Sequence, residues 1–296
     1  TCTMRRLCIV AIRCFLQLSN GGAVSMSELR KPPSRSIKWW NSRWFDVSQL
    51  VLFFGALIWL TLNGAAQMGY NWQWYRLPKY FWKVIDGELI WGPLIDGLFV
   101  TLEIGLYGII ITLLIGLTTA MLRMSQSWIG NLVAQVYLEV IRNTPLLVQM
   151  YVFYFVFAPI LEIPRFWVGV LCISFFEGTF ASEIIRAGIL SVQRGQWEAS
   201  TSIGLSRWNT YRYIVLPQAV PLMLPPLTGV LINLIKHSAI VSVIAVFDLT
   251  TQGLDIIADT FMSFEVWLTV AAMYLGITIV LSLLVSILEW RVRGRH

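Results

Sequence analysis

Ionisable residues interrupt otherwise apolar stretches of the chain, Glu103 in one of them and Glu177, Glu183, Arg186 and Lys236 in two others. A charge at the centre of a membrane helix costs about 2.5–3.5 kcal/mol unless it meets a partner or water, so Glu177, Glu183, Arg186 and Lys236 are not expected to face lipid. Glu183 and Arg186 stand three residues apart and can pair along one helix face. Glu177 lies six residues before Glu183, on a different face, and is the better candidate for touching a solute. Arg142, Asn143, Thr144 and Gln149 form a polar string around Pro145, which interrupts the helical hydrogen-bond ladder; backbone groups freed at depth are tolerated where they line a cavity. A path-lining role for this string stands beside a helix-entry turn from which Arg142 snorkels to the membrane surface. Asn233, Lys236, His237 and Ser238 make a second polar cluster, after Pro221, Pro225 and Pro226. Lys236 and His237 are adjacent and point different ways, so that one lines a path while the other packs.

The elements that must hold these residues are membrane helices. Hydrophobic residues make up 57% of the 296 and charged residues 13%, with a mean hydropathy of +0.68; soluble domains carry about 25% charged residues. Crossing about 30 Å of hydrocarbon at about 1.5 Å per residue takes about 20 apolar residues. Six stretches meet that length: 47–66, 97–122, 136–158, 166–189, 218–245 and 266–288. Basic loops stay in the cytoplasm. With both termini inside, seventeen Lys and Arg fall on the cytoplasmic side and four, Arg76, Lys79, Lys83 and Arg165, fall outside. The net charge of +6 thus sits at segment ends, where it suits topology and anionic lipid rather than nucleic acid. The outer segment 70–91 alternates aromatics with a few charges and reads as an interfacial helix or hairpin. The loop 246–265 carries Asp248, Asp255, Asp259 and Glu265 and no base, as an outward surface would, either solvated or touching an extracytoplasmic partner.

Several chemistries are excluded. Cys2, Cys8, Cys14 and Cys172 form neither a CxxC pair nor a zinc spacing. No Gly-Lys pair occurs, hence no GxxxxGK[ST] phosphate loop, and neither HExxH nor GxSxG is present. If ATP drives this protein, another subunit hydrolyses it.

The longest cytoplasmic connection, 191–217 (SVQRGQWEASTSIGLSRWNTYRYIVLP), exceeds the usual loop length of about 4–6 residues and has a helix-turn-helix rhythm. Gln196 to Ile203 suits a short helix, Gly204 ends it in a left-handed conformation, and Ser206 caps a second helix running toward Pro217. Two short helices joined by a glycine make a knob, which either docks a partner or caps the bundle.

Glu198, Ala199 and Ser200, then Gly204, then nine residues, then Ile214, Val215, Leu216 and Pro217 resemble the EAA loop of binding-protein-dependent ABC importers. The family pattern is EAA, three residues, G, nine residues, I, any residue, LP; only Ser200 departs from it, where the pattern has Ala, and Ser is small enough to keep the helix packing. The blocks 94–122, 137–155 (YLEVIRNTPLLVQMYVFYF), 180–200 and 233–249 are similar to the polar amino acid permeases of that superfamily, glutamate/aspartate-type permeases most of all. The resemblance covers 94–290. It implies an all-α, polytopic type I ABC importer transmembrane domain with about six transmembrane helices. The implied map is a cytoplasmic tail at 1–46, of which 1–25 upstream of Met26 is set apart as open in status; an extra helix with the aromatic outer segment at 47–93; the permease domain at 94–290; and a basic tail at 291–296. An added N-terminal span turns an outer N-terminus into an inner one, in agreement with the charge count.

The resemblance further implies that Glu198, Ala199, Ser200, Gly204, Ile214, Leu216 and Pro217 couple to an ATPase, and that a path for polar amino acids, acidic ones among them, runs past Arg142, Asn143, Thr144, Gln149, Glu177, Glu183, Asn233 and Lys236. The expected partners are ATP-binding subunits, a second permease, identical or homologous, a periplasmic solute-binding protein and the lipid bilayer, with no nucleic acid. The chain itself would bind no cofactor, ATP and magnesium residing on the ATPase. The expected place is the bacterial inner membrane, with both termini cytoplasmic. The rival reading is a self-sufficient secondary transporter or channel; such proteins often carry paired repeats, and 47–160 and 166–290 show no convincing self-similarity.

Overall fold

Proline decides where this chain's helices bend. The computed structural model describes residues 43–85 and 87–293; the readings placed on residues 1–42 and on 294–296 lie outside the described residues. The first unit ends at Asn71 and contributes α1 (Arg43–Gln67), whose stretch Val47–Gly64 is long and apolar enough to cross a membrane. It has no proline, and its Thr61 hydroxyl donates back to the carbonyls of Leu57 and Ile58, so that this polar group is met within its own helix.

The second unit starts at Trp72. A 3₁₀ turn (Trp74–Tyr80) leads into a hairpin of β1 (Trp82–Ile85) and β2 (Glu88–Trp91), antiparallel with Trp82 opposite Trp91 and Val84 opposite Leu89. The interfacial segment thus combines a short helix and a hairpin, and these strands are the β-structure among the described residues. Next come α2 (Pro93–Met124), α3 (Trp128–Arg142), α4 (Leu146–Val152), α5 (Ala158–Leu161), α6 (Arg165–Leu190), α7 (Arg194–Ser202), α8 (Arg207–Thr210), α9 (Leu216–His237), α10 (Leu249–Thr260) and α11 (Ser263–Arg293).

Among the described residues, five helical stretches can cross a membrane: Val47–Gly64, Pro93–Met124, Arg165–Leu190, Arg207–Ile244 and Ser263–Ile287. The sixth, expected as one span over 136–158, is instead a broken pair. Helix α3 and the segment Leu146–Leu161 meet at 108°. Pro145 has no N–H to donate and its ring disfavours helix for Thr144, so the ladder stops at Arg142 and restarts at Leu146. A second break, at 162–164, separates α5 from α6, whereas Pro159 and Pro217 are absorbed within continuing helix. Wide π-helical turns at Phe153–Phe157 and Tyr211–Val215 precede Pro159 and Pro217. The carbonyls that those rings would strike, four residues back, belong to Phe155 and Tyr213, each inside its wide turn.

Core packing occurs in three layers. Leu94, Leu249, Ile256, Met262 and Val266 fill one end, Ile104, Met150, Ile173 and Leu234 the middle, and Ile185, Ile189, Val192, Val215, Ala219 and Met223 the end nearest the knob. Between α2 and α6 the approach is close. A Cβ on Gly116 would lie 2.7 Å from the Ala181 Cβ and 3.2 Å from the Ser182 backbone nitrogen. The Ser174 hydroxyl crosses the same seam to the Gly108 carbonyl at 3.2 Å. Small residues at such seams let backbones approach in a medium where hydrophobic burial offers little gain.

The acidic loop differs from expectation. Residues Leu249–Thr260 form α10, and two of the four acids, Asp248 and Glu265, are fully buried. Asp248 caps α10 by accepting from the N–H groups of Thr250 and Thr251, and also from the Thr251 and Tyr274 hydroxyls. Glu265 accepts from the Gln73 N–H at 2.6 Å, tying α11 to the interfacial segment. Asp255 and Asp259 alone, four apart, are exposed.

Gly116→Leu is expected to overpack the α2–α6 seam by about 1–3 kcal/mol and to lower the detergent melting temperature, whereas Gly195→Ala, which has open space around its Cβ, is expected to leave it unchanged. Burial pushes the Asp248 carboxyl above the ordinary carboxylate range, against the hydrogen bonds that lower it. The native state then holds this proton more tightly than the unfolded chain, so stability falls as pH rises from the ordinary carboxylate value through the raised one. Asp248→Asn is expected to flatten that part of a pH–melting profile, and Asp248→Ala to cost about 1 kcal/mol through removal of the cap.

Candidate functional site

Two arrangements gather the polar residues of this apolar chain: a cavity between α6 and α9, and the knob formed by α7 and α8. The cavity has a volume of ≈ 390 Å³ and is lined by Phe176, Glu177, Phe180, Glu183, Ile184, Val230, Asn233 and His237. Six residues along α6 put Glu177 and Glu183 about 120° apart around the helix. They mark the two edges of one cavity-facing stripe, with the aromatic rings between them, which corrects the expectation that they serve different faces.

Each carboxylate has a distinct environment. Glu177 is 2% exposed and its Oε1 stands 2.6 Å from His237 Nδ1 on α9. His237, which the sequence left open between lining and packing, is therefore part of the site, and its ring also meets Phe176 edge-on. Glu183 is half-exposed. Its Oε2 lies 2.9 Å from Arg142 Nη1, and its Oε1 lies 3.6 Å from Arg123 Nη1, a distance of charge contact rather than hydrogen bonding. Among the described residues, the ion pairs of Glu183 are with these two arginines of α3 and α2, and not with Arg186. A pair three apart on one helix stabilises by only about 0.2–0.5 kcal/mol, and here partners from neighbouring helices reach the carboxylate directly. Among the described residues, nothing hydrogen-bonds the buried Nε of Arg186.

The expected path residues divide accordingly. Glu177, Glu183 and Asn233 line the cavity. Arg142 sits at its rim, with its guanidinium over the Phe180 ring at 5.5 Å. Lys236 is exposed beside the cavity without lining it, so of the adjacent pair it is His237 that points in. Gln149, Thr144 and Asn143 hold the bend instead. The Gln149 amide donates to the Ile141 carbonyl at 2.7 Å, the Thr144 carbonyl at 2.9 Å and the Thr144 hydroxyl at 2.7 Å. Asn143 turns back to the Glu139 carbonyl and carboxylate, and Thr144 to the Val140 carbonyl. These side chains replace donors that Pro145 removed from the ladder. A second, apolar groove of ≈ 750 Å³ opens inside this elbow, along Val133, Val136, Val140, Val148 and Val152.

The knob follows the sequence closely. Gly204 has φ +77°, its N–H donates to the Thr201 carbonyl and the Leu205 N–H to the Ser200 carbonyl, both at 3.0 Å. This double bond closes the last turn of α7 with a residue that needs positive φ. Ser206 caps α8 by accepting from the Asn209 N–H. Glu198 and Ala199 are exposed, as are Pro217 and the tip residues Ile203 and Trp208, at 73% and 71%. Ser200 is buried, Ile214 is half-buried and Leu216 is 38% exposed.

Comparison with known proteins accords with this architecture. Residues 108–294 match the family described as binding-protein-dependent transport system inner membrane component. The glutamine transport system permease protein GlnP of Escherichia coli (strain K12) is 42% identical over 214 residues, covering 70% of this chain and 98% of that protein. The L-cystine transport system permease protein TcyB of Bacillus subtilis (strain 168) is 33% identical over 220 residues, covering 74% and 90%. Among solved structures, that of an amino acid ABC transporter with histidines superposes with a TM-score of 0.62 at 40% identity, covering 67% of this chain and 94% of that one. With a broken, glycine-seamed helical bundle, a projecting knob and relatives matched along nearly their full length, this chain belongs to the inner membrane components of binding-protein-dependent transport systems, among the amino acid permeases.

Proposed function

We propose that this chain forms the membrane path for a polar amino acid without net charge, and that the knob docks on a separate ATP-hydrolysing subunit that holds ATP and magnesium. The observation that carries the reading is the continuity of one element. The stretch Arg207–Ile244 begins in the knob, passes through the wide turn Tyr211–Val215 and ends at the cavity with Asn233 and His237. Movement of the knob is therefore movement of a cavity wall. ATP-driven closure of the ATPase pair pushes the loop around Glu198 to Gly204, tilts α9 and opens the cavity toward a binding protein docked outside.

The solute class follows from the lining. Glu177 and Glu183 face the cavity, and Arg142 and Arg123 offset the charge of Glu183. The carboxylate left to attract an ammonium group is Glu177, and the apolar rings and the Asn233 amide that make up the rest of the wall suit a polar, uncharged side chain. The relatives named for glutamine and cystine support the same class. Asn233 and Lys236 are exposed on α9 at membrane depth. Leaving them against lipid would be costly, so a second permease subunit, identical or homologous, is the expected cover. Both termini are assigned to the cytoplasm on the distribution of Lys and Arg.

A mild-detergent pull-down of the tagged chain is expected to recover a nucleotide-binding subunit, and Glu198→Lys or Gly204→Pro to lose it and abolish uptake while membrane insertion persists, because proline cannot adopt the +77° of Gly204. A chain that purifies alone and moves solute in vesicles without ATP would falsify the reading. Glu177→Gln is expected to lower glutamine uptake by about tenfold or more, because a neutral amide holds the ammonium group less strongly than a carboxylate does. ATPase recovery is expected to stay unchanged, and isotope uptake in proteoliposomes reads the difference.

A further inference from the structure

Ser200 is the single anchored position at which the knob departs from the pattern it otherwise follows, and it is also the buried residue of α7, at 2% exposed. Its hydroxyl donates to the Trp197 carbonyl at 2.7 Å and accepts from Thr210 Oγ1 at 3.2 Å. Thr210, the last residue of α8, is itself 5% exposed, and among the described residues Ser200 is the partner of its hydroxyl. One turn away, the rings of Trp197 and Tyr211 meet edge-on with centroids 5.2 Å apart. The two short helices therefore touch along two adjacent pairs, one aromatic and one polar, on the inner side of the Gly204 turn.

The polar pair has an all-or-none character. An alanine at 200, as the family pattern has, would remove the partner that the Thr210 hydroxyl has across the turn. An orphaned buried hydroxyl costs more than its hydrogen bond gains, whereas apolar groups on both sides come close to neutral. A buried threonine at 210 and a serine at 200 are thus matched to each other. Without their bond, the α7–α8 angle rests on the aromatic contact and on the backbone at Gly204.

We infer that Ser200 and Thr210 act as a positioning pair that makes α7 and α8 turn as one body. A push on α7 then reaches the wide turn and α9 as rotation, instead of being absorbed by hinging at Gly204. The inference rests on the reading of the knob as the ATP-driven coupling element.

The test is a double-substitution cycle on the full complex, co-purified with its ATPase and reconstituted with binding protein in proteoliposomes, with glutamine as probe. The quantity read is glutamine moved per ATP hydrolysed. Ser200→Ala and Thr210→Val are each expected to lower it about fivefold while the ATPase subunit stays bound, and the double variant to recover most of the loss. Thr210→Ser, which keeps the hydroxyl, is expected to match the parent. Single variants within about twofold of the parent, or a double variant as impaired as the product of the two singles, would overturn the pairing. So would single variants that melt earlier yet move as much glutamine per ATP as the parent, which is what a purely structural bond predicts. A parent complex without ATP-driven uptake would overturn the importer reading itself, a result separate from failure of the variants.

Discussion

A charge or an unpaired backbone group inside hydrocarbon has to be met from within the protein, because no water is there to meet it. In this chain the requirement falls most heavily on α6, which carries Glu177, Glu183 and Arg186 through the bundle. Glu183 is met by Arg142 of α3 and Arg123 of α2, and Glu177 by His237 of α9. The helices that surround α6 are thus bound to it by the residues that its charges demand. The cavity lies where those demands converge. Removing one partner from such a pair leaves the other stranded, which ties the shape of the cavity to its electrostatics.

The same constraint explains the irregular helices. Proline deprives the backbone of a donor and pushes against the carbonyl four residues back. The chain answers in two ways. At Pro159 and Pro217 the preceding turn widens, and the helix continues. At Pro145 it breaks by 108°, and the Gln149 amide takes over the carbonyls of Ile141 and Thr144. That break brings the last residue of α3, Arg142, onto Glu183. A polar string that looks like part of a solute path is largely the scaffold that aims one arginine at the rim.

The knob obeys more local rules. Its turn needs a residue with positive φ, which Gly204 provides, and its second helix needs a side-chain cap, which Ser206 provides. Both requirements are met within a few residues along the chain, so both are legible from residue type and spacing. The partner of Ser200, ten residues on and across the turn, is not. The end opposite the knob shows the same contrast. The acids at Asp248, Asp255, Asp259 and Glu265 suggest a solvated surface, and Asp255 and Asp259 are one. Asp248 is instead consumed as a cap, buried against Tyr274 of α11, and Glu265 holds the backbone of Gln73. An acidic residue looks the same in sequence whether water or N–H groups surround it.

The sequence by itself determined the membrane class, the positions of most spans, the bias of basic residues toward one side and the glycine-hinged knob with its family pattern. Those properties depend on hydropathy summed over about 20 residues or on backbone preferences within one turn. Only the tertiary structure decided that Glu183 turns to Arg142 and Arg123 rather than Arg186, that His237 and not Lys236 faces the cavity, that Gln149 splints the bend, and that Ser200 meets Thr210. Each is a contact between side chains on different helices or across a turn or break, chosen by which neighbour packs within reach. Periodicity states which way a residue points on its own helix and nothing about what stands opposite.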